Sequence, residues 1–182
     1  MGNLTTTIFR CRRHQVIVLG LDNSGKSTIV YQLKLKHFVQ QAPTIGFNCE
    51  KFRIKNGAAK GQYFTVWDIG GQEKLRPLWK TYLRHASVLV FVVDSTDQER
   101  FDEAGVEIGS LMRFANLPNN VPIVLLANKQ DLPEAKCCDL VRDTVACNVG
   151  KHLLRVQPCC AITGEGLDDF FGELYQLIVE AK

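Results

Sequence analysis

Gly20-Leu21-Asp22-Asn23-Ser24-Gly25-Lys26-Ser27 leaves an apolar run, His14 to Gly20, and enters a helical pattern, Gly25 to His37. The spacing is Gly-x4-Gly-Lys-Ser, and a strand before it with a helix after it is the setting such a loop needs to hold phosphate. Glycines let backbone N–H groups wrap the phosphates and the helix N-terminus adds its dipole. Lys26 supplies a cation and the Ser27 hydroxyl is placed to ligate Mg²⁺. The competing reading is a chance glycine-rich turn, and the flanking elements argue against it. The loop alone does not separate adenine from guanine nucleotides.

Working outward, Ser87 to Asp94, Val121 to Ala127 and Leu153 to Pro158 are short apolar runs rich in Val, Ile or Leu, as buried parallel strands are. Helical patterns run over Lys74 to Arg84, Gln98 to Phe114, Cys138 to Cys147 and Leu167 to Glu180. The alternation predicts a doubly wound α/β sheet in one domain. One pair breaks it. Phe47 to Lys55 and Tyr63 to Asp68 are joined only by residues 56–62, too few for a crossover helix, so the spacing predicts an antiparallel hairpin.

A chain of 182 residues can bury a sizeable core, about 70% of its unfolded surface. Its net charge of +3, with Lys and Arg interspersed among acids, argues against nucleic acid as a partner. No apolar run reaches transmembrane length, and Arg10, Arg12 and Arg13 interrupt any hydrophobic start, which predicts a cytosolic protein. The 7 cysteines include two adjacent pairs but no Cys-x-x-Cys, which argues for thiols rather than a disulfide framework. The four histidines lie at no helical metal-ligand spacing, so no structural zinc is expected.

Two further stretches carry chemistry. Trp67-Asp68-Ile69-Gly70-Gly71-Gln72-Glu73 closes the second hairpin strand. An acid at the carboxyl end of a strand beside a phosphate loop is placed to hold Mg²⁺ through water, the glycines let an amide approach a terminal phosphate, and Gln72 has the reach to orient a water. Asn128-Lys129-Gln130-Asp131 follows the run that ends at Ala127. An aspartate there can accept from the ring imide and the exocyclic amine of guanine together, whereas adenine would oppose it with a lone pair. Taken alone the tetrapeptide reads better as a polar turn, and Asp68 with Gly70 as a strand cap and turn.

With Pro43-Thr44-Ile45-Gly46-Phe47-Asn48 and Cys160-Ala161-Ile162, these stretches resemble the Ras-like small GTPases, and more narrowly the ADP-ribosylation factor and factor-like family, over nearly the whole chain. The resemblance implies a phosphate-loop NTPase fold, the Ras-like G domain, over residues 14–182. Its sheet would be doubly wound, mostly parallel and six-stranded, with one antiparallel edge strand. It implies GTP or GDP with Mg²⁺, bound by Asp22, Asn23, Ser24, Gly25, Lys26, Ser27 and Thr28 of the loop. Thr44 would reach Mg²⁺ and the terminal phosphate, with Ser27 and, through water, Asp68 as the other metal-holding residues. Gly71 would donate its amide to that phosphate and Gln72 would be the catalytic residue. Asn128 and Asp131 would hold guanine, Lys129 would lie along it, and the Ala161 amide would meet its carbonyl, next to a Cys160 where many members have serine. Phe47, Trp67 and Tyr82 would form an effector surface, while Trp79 is expected in the core. The hairpin between the switches is longer here than in compact members, and in the family it slides along the sheet when GTP replaces GDP.

Met1-Gly2-Asn3-Leu4-Thr5-Thr6 fits the myristoylation pattern at Gly2. One such chain binds membranes only marginally, so residues 1–13 would need a second signal, from Arg10, Arg12 and Arg13 or from Cys11. Leu4, Ile8 and Cys11 share a helical face, although three threonines weaken that helix. The expectation is a cytoplasmic protein that associates peripherally with membranes through its N-terminus when GTP-bound, partnered by an exchange factor, an activating protein and effectors. A slow GTPase switch is favoured over a nucleotide-dependent binding module that hardly hydrolyses. A phosphate-loop kinase for a small molecule has no use for Asn128 to Asp131.

Overall fold

A computed structural model describes residues 12–182 apart from 115, 116, 118, 119 and 148. Gly2, Leu4, Ile8, Arg10 and Cys11, and with them nearly all of the expected membrane-contacting segment, lie outside the described residues. The elements run β1 (Arg13–Leu19), α1 (Lys26–Leu35), β2 (Phe47–Arg53), β3 (Tyr63–Ile69), α2 (Trp79–Leu83), β4 (Val88–Asp94), α3 (Phe101–Met112), β5 (Ile123–Asn128), α4 (Cys138–Val145), β6 (Leu154–Pro158) and α5 (Phe170–Glu180).

All strands join one 6-stranded sheet in the order β2-β3-β1-β4-β5-β6. β1 lies parallel to β3 and β4, β5 lies parallel to β4 and β6, and β2 runs antiparallel to β3 at the edge. Neighbours and covered faces explain the sequence patterns. β5 is buried at every position and reads as an unbroken apolar run, whereas β2, with one neighbour, alternates half-buried and exposed residues. Along β1 the two-residue period divides the core. Ile17 and Leu19 pack under α2, α3 and α4 with Trp79, Phe91, Ile108 and Val141, while Val16 and Val18 pack under α1 and α5 with Ile29, Leu33, Leu174 and Leu177.

The helix expected over Lys74 to Arg84 is instead a 3-10 segment, Glu73–Leu78, followed by the short α2. Pro77 removes a backbone donor from the middle of that stretch, which a continuous α-helix does not tolerate. The hairpin connection folds back on itself through Ile54 N–H to the Gln62 carbonyl at 3.0 Å and Gly61 N–H to the Ile54 carbonyl at 2.8 Å. Its Ala59 is fully buried in the α1/α5 core. Gln62, also buried, accepts at Oε1 from His14 Nε2 and from the Arg12 amide, each at 3.3 Å. Among the described residues no helix is long and apolar enough to cross a membrane, and the described cysteines are free thiols.

Candidate nucleotide-binding site

The carboxyl ends of β1, β3 and β5 and the loop after β6 open onto one cavity of about 420 Å³. Outside the carboxyl ends of strands, where strand order reverses, is where open α/β sheets bind ligands. Asp22, Asn23, Gly25, Lys26, Ser27, Thr28, Thr44, Gly71, Gln72, Asn128, Lys129, Asp131 and Ala161 all line it. Three expected residues do not. Ser24 is buried behind the loop, Asp68 is buried beneath Ser27, and Cys160 is buried with its sulfur accepting from the Thr163 amide.

The loop turns through left-handed backbone at Asn23 (φ 62) and Gly25 (φ 92). A Cβ on Gly25 would stand 2.3 Å from Asn128 Nδ2, so both its conformation and its surroundings require glycine. Lys26, with 5% of its surface exposed, donates to the Leu21 carbonyl at 2.8 Å. Burial drives its pKa down to about 8 against the pull of Asp68 and Asp22. A buried ammonium that short of negative charge suits a polyanion.

Behind the loop three oxygen groups meet. Ser27 Oγ donates to Asp68 Oδ2 at 2.6 Å and lies 2.7 Å from Thr44 Oγ1. Asp68 is 1% exposed, burial raises its pKa, and its Oδ1 is buried with no hydrogen-bond partner among the described residues. Hydroxyls and a buried carboxylate are the hard oxygen donors Mg²⁺ takes, so the residues fit that ion. Gly71 backs against the loop so closely that a Cβ would fall 2.4 Å from the Gly20 carbonyl oxygen and 2.5 Å from the Asp22 nitrogen.

At the far end, Asn128 is 1% exposed. Its Nδ2 donates to the Ser24 carbonyl at 2.8 Å, and its Oδ1 accepts from the Ala161 amide at 3.0 Å. The amide that the resemblance assigned to the guanine carbonyl is therefore engaged by Asn128. Lys129 (φ 67) is held by Asp94 Oδ2 at 2.5 Å, and Asp131 is exposed at the rim.

Sequence reasoning missed a charged cluster beside the loop. Arg76, nearly buried, donates to the Gly71 carbonyl at 3.1 Å, to Glu107 at 3.0 Å and to Glu103 at 2.7 Å. Arg100 donates to Asp22 Oδ1 at 2.9 Å and to Glu103 at 2.7 Å. These hydrogen bonds, Arg100's first, hold the Glu103 carboxyl down to about 2. Arg100 and Glu103 stand three residues apart, but no spacing announces Asp22 or Arg76, which join them from two other segments. It also missed Phe38, Leu132 and Ile162 as cavity walls, for which an apolar residue left exposed after a helix or strand is the only signal. Outside the cavity Phe47, Trp67 and Tyr82 form a triangle with ring centroids 5.6, 5.6 and 5.7 Å apart, and Phe47 is half exposed.

A six-stranded sheet with one reversed edge strand, carrying a phosphate loop, a buried metal-suited aspartate and an Asn-Lys-x-Asp loop around one cavity, defines a Ras-like G domain. A sequence profile of the ADP-ribosylation factor family matches residues 1–178, and the chain belongs to that family. It is 42% identical over 184 residues to human ADP-ribosylation factor-like protein 4C, covering 100% of this chain and 95% of the relative. To human ADP-ribosylation factor-like protein 4D it is 46% identical over 169 residues, 92% of this chain and 84% of the relative. Among solved structures, the Arl6 BBS3 small GTPase of Trypanosoma brucei with bound GppNp superposes with a TM-score of 0.82 at 29% identity, over 94% of this chain and 100% of that one. The mammalian SRP receptor, with a TM-score of 0.77 at 22% identity over 88% of this chain and 100% of that one, shares the fold. The protein is a guanine-nucleotide switch that binds GTP or GDP with Mg²⁺ and hydrolyses GTP to GDP and phosphate, in a family that works with exchange factors, activating proteins and effectors.

Proposed function

We propose that the residues around the cavity divide into a fixed guanine end and a phosphate end that changes with the nucleotide. The observation that carries this reading is the meeting of Ser27, Thr44 and Asp68 behind the loop, with Gly71 packed against it. Asp22 to Thr28 wrap the phosphates with backbone amides, and Lys26 places its ammonium on them. Ser27, Thr44 and, through water, Asp68 hold Mg²⁺, which when bound screens the phosphate charges and polarises the terminal one. Gly71 gives its amide to that phosphate, and Gln72 orients the attacking water. Asp131 reads guanine, Lys129 lies along it, and Asn128 ties the base loops to the phosphate loop.

Loss of the terminal phosphate removes the ligand of Thr44 and Gly71, so both segments relax and the surface beside them changes. Phe47, Trp67 and Tyr82 are the effector surface, since a half-exposed Phe47 backed by two partly buried aromatics next to moving segments anchors partners well. Arg76 and Arg100 are held by carboxylates, which supports intrinsic hydrolysis on the order of 10⁻⁴ s⁻¹, the scale of a Ras-like enzyme without its activating protein. Residues 1–13, with Gly2 myristoylated, bring the GTP-bound protein to membranes, a reading supported by the sequence pattern and the family. A role in membrane traffic or signalling accords with the factor-like relatives.

The test compares hydrolysis by the wild type and Gln72→Leu with a stimulating activating protein present. A large loss in the variant supports Gln72 as the water-orienting residue, and equal rates would favour a binding module that hardly hydrolyses.

A further inference from the structure

We propose that Trp79 is the positioning residue that aims the Gly71 amide at the terminal phosphate. The inference rests on the reading that this amide meets that phosphate. Trp79 is fully buried at the start of α2, packed edge-on against Phe91 with ring centroids 6.3 Å apart. Its indole Nε1 donates to the Gly70 carbonyl at 3.0 Å in the core. An indole has one donor and no acceptor, so this is the only conventional hydrogen bond the side chain can make.

The geometry of the peptide unit carries the argument. The Gly70 carbonyl and the Gly71 N–H belong to one planar trans peptide and point in opposite directions. Drawing the carbonyl inward toward Trp79 turns the N–H outward toward the phosphate loop, against which Gly71 is packed. Gly71 lines the cavity, and its N–H has no protein acceptor among the described residues. The Gly70 amide is occupied in the opposite sense, donating to the Gly46 carbonyl at 2.9 Å, so the glycine is held from the segment of Thr44 and Gly46 as well. With two glycines in succession the backbone has the widest freedom to rotate, and a fixed partner on the carbonyl removes it. Trp79 thus acts on the phosphate from the core without touching it.

The test replaces Trp79 by phenylalanine and, in a second protein, by β-(3-benzothienyl)alanine, which keeps the bicyclic shape and lacks the N–H. Release rates of GDP and GppNp are measured for each, with the Gly71 ¹⁵N–¹H resonance recorded in both states. The expected result is GppNp release faster by about tenfold, the scale of one hydrogen bond, with GDP release within about twofold of wild type. The wild-type Gly71 resonance should move between GDP and GppNp and move less in the benzothienyl protein. Equal acceleration for both nucleotides, or no change in either, would reduce Trp79 to a packing residue and overturn the proposal. A Gly71 resonance that responds equally in wild type and variant would also overturn it while leaving the phosphate contact standing. If the wild-type resonance ignores the terminal phosphate, the underlying contact itself is wrong and the proposal falls with it.

Discussion

Asn128 and Ser24, 104 residues apart, are joined by a buried 2.8 Å hydrogen bond from Nδ2 to the carbonyl oxygen. The base-binding loop is thereby fastened to the phosphate loop, and Oδ1 of the same side chain fastens the Ala161 turn. Asn128→Ala leaves the Ser24 carbonyl and the Ala161 amide without this partner, at about 1–3 kcal/mol per buried group. We expect a lower melting temperature and GDP release faster by an order of magnitude or more. Stopped-flow release and thermal unfolding check both, and an unaltered release rate would refute the fastening role.

Asp131 stands at the cavity rim and makes no ion pair that would fix its carboxylate elsewhere among the described residues. Asp131→Asn should lower GTP affinity on the order of a hundredfold and raise preference for xanthine nucleotides, whose edge carries an acceptor in place of the amine. Competition between GDP and XDP measures the switch. Unchanged guanine preference would remove Asp131 from base reading.

Gly71→Ala puts a methyl group into backbone atoms that cannot turn aside. The Gly70 to Gln72 segment must then stand off from the phosphate loop, so GppNp binding should weaken at least tenfold while GDP binding holds. Equilibrium titration with the two nucleotides decides it; parallel losses would mean that Gly71 serves the fold generally.

His14 is buried, and burial chiefly lowers its pKa, opposed by the Gln62 hydrogen bond and reinforced by the charges of Lys182 and Arg12. A folded pKa below the unfolded value, near 6.5, means that the unfolded chain takes up a proton first. This contribution to stability is intact above about pH 6.5 and is lost as pH falls toward the folded pKa. Melting temperatures at pH 7.5 and 5.5 should differ more for wild type than for His14→Gln. An identical drop in the two proteins would show that His14 does not couple.

Ala59→Asp would force a carboxylate into a fully buried apolar position and should destabilise the GDP-bound protein by about 3 kcal/mol, read by urea unfolding. A cost below about 0.5 kcal/mol, the scale of a surface change, would mean that the hairpin tip is not seated.

The sheet and its antiparallel edge were legible because apolar runs and connection lengths are local properties of the chain. Pro77 was legible too, yet its effect on the helix expected over Lys74 to Arg84 went unread. The cavity residues were mostly legible because phosphate binding needs glycines and a lysine at fixed spacing. Arg76 and Glu103 were not, since an ion pair between a switch segment and a helix 27 residues later follows from tertiary packing and leaves no period in the sequence. Asn128 was legible as a base-loop residue, but its bonds to Ser24 and Ala161 depend on how close three loops come after folding.

Strands side by side can slip only in steps of two residues, close to 6.6 Å, if each side chain is to keep its face of the sheet. For β3 to take such a step along β1, Ala59 would have to leave its socket and Gln62 would have to release His14 and Arg12. That clasp sits at the end of the sheet opposite the cavity, beside the start of β1. The hairpin is therefore held at both ends, by the Asp68 to Ser27 contact at the cavity and by Ala59 and Gln62 at the far pole.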